Sequence, residues 1–354
     1  MELTNEDLPI LNIEGREVGP GHPMFIVGEV GMAHDGSLAM AEAYVRSIAR
    51  AGADAVKFQT HIAEAESTPH EPFRVRLTTG DVSRLDYWRR TGFNREQWQT
   101  LVQNARERGL AFLSSPFSEA AVDLLEELNV AAYKVASGET SNTSLLDRIL
   151  ATRKPLLLST GMSRMDEVDA VVARLGESGI QFAVMQCTSL YPCPPERIGL
   201  NLLDVFRQKY RSPVGLSDHS GRVFAGLAAA ALGCDILEIH VTISRDMPGP
   251  DVGSSLTVDE LAFLVQGVRN IEAMLANPVV KDEVAGELEP MKRIFAHSVV
   301  ASTDLPAGTV IRAEHLASKK PGTGLPPSAI PRIVGRRLTR PIAADTALSE
   351  EDLE

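Results

Sequence analysis

Hydrophobic positions along residues 25–275 alternate between two periods. Apolar runs of about four to eight residues, typical of buried strands, alternate with longer segments whose apolar residues recur every three or four positions, typical of amphipathic helices. The strands are predicted at 25–30, 55–60, 110–117, 131–137, 155–159, 182–188, 214–217 and 236–241. The helices are predicted at 37–52, 95–109, 119–129, 144–153, 165–179, 202–210, 223–233 and 258–275.

Eight βα units in a row are the number that closes a parallel (β/α)8 barrel, the TIM barrel. Nearly every predicted strand ends in polar or ionisable residues, as in Lys57-Phe58-Gln59-Thr60, Ser217-Asp218-His219-Ser220 and Glu238-Ile239-His240. Such a barrel builds its active site at the carboxyl ends of the strands. The sequence therefore predicts an α/β enzyme with its site at one end of the barrel.

Two segments fall outside the repeating units. Residues 61–93 form a long insertion after the second strand, and a loop of that length usually covers a site or makes an interface, with a surface excursion as the alternative. After Leu275 the helical period lapses, and short strand and turn signals begin near Ile294. We expect a barrel domain at 1–280, a linker at 281–292 and a small second domain at 293–354, which docks on its own barrel or a partner's.

Composition narrows the function classes. The chain is 44% hydrophobic and 23% charged, as ordinary globular proteins are. Its formal net charge of -12 argues against nucleic acid as a partner, because phosphate backbones are bound by clustered Lys and Arg. The N-terminus lacks a signal-peptide pattern and no apolar run is long enough for a membrane span, so we expect a cytoplasmic protein. Its three cysteines contain no Cys-x-x-Cys pair and are expected to be reduced.

Two histidines predict a metal site. His219 and His240 end the seventh and eighth strands, which are neighbours in a closed barrel, so their imidazoles can converge on one divalent ion. With Glu29 or water completing an octahedron, the set suits Mn²⁺ or Mg²⁺ better than a closed zinc site. The alternative is that each histidine is a separate hydrogen-bonding residue.

Two lysines predict an anionic ligand. Lys57 and Lys134 end the second and fourth strands, and a lysine inside a barrel mouth is costly to desolvate unless an anion pairs with it. Hydroxyl groups from neighbouring strand ends, those of Ser115, Ser137 and Ser159, would complete the site for a phosphate or carboxylate. The alternative is a salt bridge to Glu29 or Glu139. No nucleotide-binding glycine motif is present, which argues against nucleotide-driven chemistry.

Six motifs occur in order along the barrel region. They are Glu29-Val30-Gly31-x-x-His34-x-Gly36-Ser37, Gly52-Ala53-Asp54-Ala55-Val56-Lys57-Phe58-Gln59-Thr60, Tyr133-Lys134-x-x-Ser137-Gly138-Glu139, Leu158-Ser159-Thr160-Gly161-Met162, Gly215-Leu216-Ser217-Asp218-His219 and Arg245-Asp246-Met247-Pro248-Gly249-Pro250-Asp251. Together they resemble the sialic acid synthases. The tail, through Lys320-Pro321-Gly322-Thr323-Gly324, is similar to that family's antifreeze-like SAF domain, a β-clip fold. The resemblance runs from Phe25 to Glu354 and implies a TIM barrel followed by a SAF domain.

The resemblance also implies an activity. It is the condensation of phosphoenolpyruvate with an open-chain N-acetylhexosamine, giving a nine-carbon 2-keto-3-deoxy acid and phosphate by C–O cleavage. The sugar expected first is N-acetylmannosamine, the product N-acetylneuraminate, and the metal Mn²⁺, with Mg²⁺ and Co²⁺ as alternatives. A domain-swapped homodimer is expected as well.

Site roles carry over motif by motif. The resemblance implies that phosphoenolpyruvate binds to Lys57, Ser115, Lys134, Ser137, Ser159 and Ser217. It implies that His219 and His240 bind the metal and that Glu29 lies near the reacting carbon. It implies that the remaining substrate contacts come from Gln59, Glu139, Ser189, Tyr191, Asp251 and Lys320.

Three departures from the family pattern bear on the sugar. Lys320 stands where an Arg usually precedes Pro-Gly and cannot make the same bidentate contact. Ser189 and Ala33 each stand where an Asn often occurs. A 2,4-diacetamido-trideoxyhexose, leading to legionaminic or pseudaminic acid, is therefore an alternative substrate. We expect Lys320 of one subunit to reach the neighbouring barrel.

Two other function classes remain open on the sequence. A Schiff-base aldolase would use Lys57 or Lys134 as an amine nucleophile and would need neither metal nor phosphoenolpyruvate. A noncatalytic protein would bind ligands through its tail on an inactive barrel. The second class fits poorly with the full set of polar strand ends.

Overall fold

The computed structural model describes residues 8–75 and 80–354. Two compact units divide the chain, the first ending at Ala276 and the second running Asn277–Glu354. The first unit begins with an antiparallel hairpin of β1 (Leu11–Ile13) and β2 (Arg16–Val18). The short strands of this hairpin carry no clear periodic signal, and the sequence patterns did not predict it.

Parallel strands close a barrel after the hairpin. Within the described residues they number eight: β3 (Phe25–Gly31), β4 (Ala55–Thr60), β5 (Ala111–Pro116), β6 (Ala132–Val135), β7 (Leu156–Ser159), β8 (Phe182–Cys187), β9 (Val214–Asp218) and β10 (Ile236–Thr242). The last strand pairs with the first, from Ile236 opposite Phe25 to His240 opposite Glu29. A two-residue strand, β11 (Leu256–Thr257), extends the edge of β10. The predicted TIM barrel is confirmed.

Helices follow the strands on the outside. In chain order they are α1 (Leu38–Ala51), α2 (Ala63–Glu66), α3 (Arg84–Thr91), α4 (Arg95–Glu107), α5 (Glu119–Glu127), α6 (Thr143–Ala151), α7 (Met165–Ser178), α8 (Asn201–Tyr210), α9 (Phe224–Ala231) and α10 (Val258–Ala276). The two short helices α2 and α3 belong to the insertion at 61–93. Their presence shows that the described residues of this insertion form partly regular structure.

Helix ends follow local chemistry. Ser37 caps α1 by accepting a hydrogen bond from the Met40 N–H, and Gly52 ends the helix in the left-handed conformation, with φ 84°. Ser118 and Asn142 cap α5 and α6 in the same way. These caps start each helix soon after its strand, which keeps the connections short on that side of the barrel.

Alternation along the strands separates two cores. On β3, Ile26 joins the layer between barrel and helices, whereas Phe25 and Val27 point into the barrel. The inner layer includes Leu11 and Ile13 of the hairpin, which therefore closes the amino-terminal end of the barrel with apolar side chains. Polar inward positions are thus left for the carboxyl end of each strand.

The second unit has its own small core. It contains α11 (Lys281–Glu287), α12 (Glu289–Phe295), the antiparallel pair β12 (Ser298–Ala301) and β13 (Leu316–Lys319), and α13 (Ile330–Ile333). Buried apolar residues hold it together, among them Val299, Ile311, Leu325 and Leu348. The segment expected to be a linker, 281–292, is mostly helical. No helix among the described residues is long and apolar enough to cross a membrane.

Candidate active site

A cavity of about 750 Å³ opens at the carboxyl ends of the barrel strands. Most residues predicted for the site line it: Glu29, Lys57, Gln59, Ser115, Lys134, Ser137, Glu139, Ser159, Ser189, Tyr191, Ser217, His219, His240 and Asp251. Lys320 belongs to the second unit, where its ammonium lies 5.6 Å from the centre of the Phe295 ring.

Two lysines and two carboxylates form a buried ion-pair cluster in this cavity. Lys57 Nζ lies 2.8 Å from Glu29 Oε2 and 3.8 Å from Glu238 Oε1. Lys134 Nζ lies 2.9 Å from Glu238 Oε2. The salt bridge from a site lysine to Glu29 is therefore present, whereas Glu139 accepts a hydrogen bond from an asparagine amide. Internal carboxylates partly occupy the predicted anion site.

The two carboxylates differ in their protonation. Burial raises the pKa of Glu29 to about 7, and Lys57 offsets only part of that shift. Burial also acts on Glu238, but Lys134 and Lys57 outweigh it and lower the pKa of that carboxyl to about 2. Glu238 is thus a permanent anion between two ammonium groups, while Glu29 can hold or release a proton near neutral pH.

Lys57 is an ammonium in this setting. Burial alone would lower its pKa, but Glu238 and Glu29 raise it above the ordinary value of a lysine. A Schiff-base nucleophile needs a free amine, which this environment disfavours. The geometry therefore favours charge pairing over amine chemistry at Lys57.

Serine hydroxyls flank both ammonium groups. Lys57 Nζ donates to Ser115 Oγ at 3.3 Å, and Lys134 Nζ donates to Ser217 Oγ at 2.8 Å. A second pair of hydroxyls, 2.8 Å apart, belongs to Ser137 and Ser159. Hydroxyl donors beside ammonium groups are the composition that a phosphate or carboxylate ligand requires.

The two predicted metal-binding histidines lie side by side. Their ring centres are 5.4 Å apart, and both side chains are buried. His219 Nδ1 is 3.0 Å from the carbonyl oxygen of Thr188, so Nδ1 carries a hydrogen and Nε2 is the nitrogen left for a ligand. Burial alone would lower the pKa of His219, but the Cys187 thiol and this carbonyl raise it above the ordinary value. Burial lowers the pKa of His240 to about 4, which keeps that imidazole neutral.

These features fit a divalent metal. Neutral imidazoles are common metal ligands, and a carbonyl that fixes the tautomer through the other ring nitrogen is the usual supporting contact. Among residues 8–75 and 80–354, no group of three or more His, Cys, Asp or Glu side chains is arranged to hold an ion. A metal held by His219 and His240 would therefore take its other ligands from water or substrate.

Aromatic and charged residues form the side of the cavity next to the histidines. The Tyr191 ring stacks on His219 with 4.1 Å between centres. The Arg74 guanidinium lies 4.4 Å above the Tyr191 ring and 2.5 Å from Asp251 Oδ1. The insertion at 61–93 thus contributes a cation to the region where the sugar contacts are predicted.

Comparison with known proteins identifies the family. A model described as the NeuB family matches residues 44–279, more than half of the chain, and a SAF domain model matches residues 296–354. The chain belongs to the NeuB family. The resemblance to the sialic acid synthases and the barrel-plus-SAF architecture are thereby confirmed.

Several relatives of this NeuB-family chain are named as synthases. It is 33% identical to the N-acetylneuraminate-9-phosphate synthase of Mus musculus, over 96% of this chain and 95% of the relative. It is 31% identical to the N,N'-diacetyllegionaminic acid synthase of Legionella pneumophila, over 95% and 96%. The prediction that the chain is an enzyme is confirmed, and the near-equal identities leave the sugar open.

A solved structure agrees with this assignment. The N-acetylneuraminic acid (sialic acid) synthetase of Leptospira borgpetersenii, in complex with citrate, superposes with a TM-score of 0.70 at 25% identity. The match covers 81% of this chain and 96% of the synthetase. The fold of this NeuB-family chain is thus similar to that of a known synthetase.

Three cavity residues of this NeuB-family member were missing from the predicted site. Glu238 stood in a polar strand end, and its position two residues before His240 implies the same inward face, but no sequence signal indicates that it bridges two lysines. His61 and Arg74 lie in the insertion and line the same cavity. Arg74 contacts Asp251 across 177 positions, a pairing that local sequence cannot show.

Proposed function

We propose that this chain condenses phosphoenolpyruvate with the open-chain form of an N-acetylated hexosamine, N-acetylmannosamine first among them. The products are N-acetylneuraminate and phosphate. The observation that carries the proposal is a cavity that combines a buried two-lysine cluster, flanking serines and a pair of adjacent buried histidines. One set suits a small polyanion and the other suits a metal.

Phosphoenolpyruvate would occupy the lysine side of the cavity. Its phosphate and carboxylate would share or replace the contacts that Lys57 and Lys134 make with Glu29 and Glu238, at 2.8 and 2.9 Å. The lysines are then already oriented for an anion before it arrives, which reduces the ordering cost of binding. The serines named above would donate to the same anionic groups.

Glu29 would handle the proton of the reaction. The enol carbon of phosphoenolpyruvate forms a bond to the aldehyde carbon of the sugar, the aldehyde oxygen takes the proton of protonated Glu29, and a positive charge is left on the carbon that bears phosphate. Water then adds to the carbon that bears phosphate, and Glu29, with its pKa of about 7, takes a proton from that water. Cleavage of the C–O bond finally releases phosphate, which takes the proton of the new hydroxyl group, and leaves the keto group.

His219 and His240 would hold the divalent metal, Mn²⁺ as our first choice with Mg²⁺ and Co²⁺ as alternatives. When bound there, a metal supplies Lewis acidity toward the sugar aldehyde oxygen. The sugar itself would face Gln59, Tyr191 and Asp251, with Glu139 and Ser189 nearby in the same cavity. Holding the two small substrates in line in one site lowers the activation free energy by roughly several kcal/mol through proximity.

The quaternary proposal concerns the second unit. We propose a domain-swapped homodimer in which Lys320 of one subunit reaches the sugar side of its neighbour's barrel. The cytoplasm is the compartment we propose, because both substrates are soluble metabolites.

Phosphate release tests the proposed function. Metal-stripped protein is given phosphoenolpyruvate and Mn²⁺ with N-acetylmannosamine, with a 2,4-diacetamido-trideoxyhexose, or with no sugar. Release that depends on N-acetylmannosamine and on metal supports the proposal, and release with the diacetamido sugar alone assigns a legionaminic- or pseudaminic-type synthase. No release with any sugar or metal overturns it. His70→Phe, which changes an exposed residue, serves as a control for the effects of substitution and metal stripping on the protein.

A further inference from the structure

His61 occupies an unusual position at the start of the insertion. It directly follows β4, and its imidazole lies between two aromatic rings, with 3.7 Å between the ring centres of His61 and Trp88 and 4.2 Å between those of His61 and Phe117. The rings are nearly parallel, with interplanar angles of 13° and 16°. Only 8% of the residue is exposed. This sandwich fixes the plane of the imidazole at the wall of the cavity.

Trp88 is itself held in place. Its indole Nε1–H donates to Glu71 Oε2 at 3.0 Å, and the Arg84 guanidinium lies 4.9 Å above its ring. All three residues belong to the insertion. The insertion therefore supplies a rigid aromatic face for His61 and does more than add surface.

Both ring nitrogens of His61 are engaged. Nδ1 lies 2.5 Å from Glu66 Oε1, and Nε2 lies 3.3 Å from Gln59 Oε1. The other oxygen of Glu66 accepts from the Ile62 N–H at 3.2 Å, which anchors the carboxylate. With Nδ1 held by Glu66, the other ring nitrogen of His61, Nε2, faces the side-chain amide of Gln59.

Gln59 is the residue that this pair orients. Its Nε2 donates to Glu29 Oε1 at 3.2 Å, which turns its oxygen toward His61 Nε2. Because the Glu66 carboxylate and the Gln59 oxygen are both acceptors, this arrangement requires an N–H on each ring nitrogen, that is, an imidazolium paired with Glu66. A free glutamine amide can turn by 180° and exchange donor for acceptor. With His61 in place, the second Nε2–H of Gln59 is available as a donor, which suits a hydroxyl or acetamido oxygen of a ligand.

We propose that His61 and Glu66 are positioning residues that hold the Gln59 amide with its nitrogen toward Glu29 and the sugar side of the cavity. The proposal rests on the proposed function for the identity of the ligand as an acetamido sugar. It gives the insertion a defined role, because Trp88 and Glu66 both come from it. A sugar oxygen that meets the Gln59 nitrogen is recognised, whereas a donor group at the same place is rejected.

The test uses His61→Phe, which keeps an aromatic ring in the sandwich and removes both nitrogens. We expect the KM for N-acetylmannosamine to rise about tenfold, the loss of one oriented hydrogen bond, and the KM for phosphoenolpyruvate to stay within about twofold. Glu66→Gln, which keeps an oxygen toward Nδ1, should change the sugar KM less than His61→Phe. His70→Phe, an exposed histidine of the same insertion, is the matched control and should change neither.

A double-mutant cycle separates positioning from general structure. In a Gln59→Ala background, His61→Phe should have little further effect, because the histidine acts through the amide that is now missing. Equal losses for both substrates, or a full additional loss in the Gln59→Ala background, overturn the proposal.

A measurement without substrate keeps this inference distinct from the proposed function. The side-chain amide signals of Gln59 in a ¹⁵N-labelled protein are assigned by their loss in Gln59→Ala. We expect His61→Phe to shift them toward free-amide values, while His70→Phe leaves them unchanged. Unshifted signals in His61→Phe contradict the positioning role, whereas absent phosphate release with shifted signals contradicts only the proposed reaction.

Discussion

Glu238 is the carboxylate whose removal tests the charge arrangement of the cavity most directly. It lies 2.9 Å from Lys134 and 3.8 Å from Lys57, and all three side chains are at most 8% exposed. Glu238→Gln keeps the shape and one oxygen acceptor but removes the negative charge. Two buried ammonium groups then share Glu29 alone, whose raised pKa already weakens its charge near neutral pH.

The expected magnitude follows from these distances. At an effective dielectric constant of about 20, unit charges this far apart attract each other by about 5 kcal/mol per contact before desolvation is counted. Removing one member of a buried ion pair typically costs about 3–5 kcal/mol, because the remaining charge stays buried without its partner. For a unit of this size, that loss lowers the unfolding midpoint by about 5–9 °C.

Thermal unfolding with and without ligand is the assay. The matched control is Glu260→Gln, because Glu260 pairs with Arg245 at 2.7 Å while both side chains are at least 40% exposed. Such a pair contributes about 1 kcal/mol or less. Phosphoenolpyruvate should stabilise Glu238→Gln more than the unsubstituted protein, since the anion replaces the missing charge. A Glu238→Gln midpoint equal to that of the control, or no extra gain with phosphoenolpyruvate, refutes this reasoning.

Three further predictions concern other parts of the chain. Burial, with His61 nearby, lowers the pKa of His34 to about 3, below its ordinary 6.5. The stability that this histidine contributes is therefore full above pH 6.5 and is lost as the pH falls. We expect the free energy of unfolding, measured in urea, to drop by about 3 kcal/mol between pH 6.5 and 4, and His34→Asn should lack this drop. Gly161→Ala places a methyl group closest to Ser189 Oγ and 2.7 Å from Ser137 Oγ, so it should raise the KM for phosphoenolpyruvate by about tenfold or more and raise the KM for the sugar as well. Unchanged KM values for both substrates contradict these contacts. Lys320→Ala should raise the KM for the sugar about tenfold without affecting phosphoenolpyruvate; equal kinetics in steady-state assays would remove Lys320 from the site.

The sequence by itself determined the barrel and the place of its site. Eight repeats of a short apolar run and an amphipathic helix admit few other arrangements, and the period of two along each strand puts Lys57, Lys134 and His240 on inward faces. Because the seventh and eighth strands of a barrel are neighbours, the proximity of His219 and His240 also followed from strand order alone. These features depend on local periodicity and on the order of the strands, and both can be determined from a single sequence.

Tertiary structure decided which inward groups pair with one another. Strand register sets Glu29 opposite both Lys57 and His240. In the interior of low polarity, the attraction between opposite charges is strong at short distance, so each charged group pairs with its nearest partner. The bridge from Glu238 to two lysines and the orientation of Gln59 by His61 depend on distances of a few ångströms between segments far apart in the chain. Such distances are fixed by packing across the whole barrel, so no local pattern in the sequence could contain them.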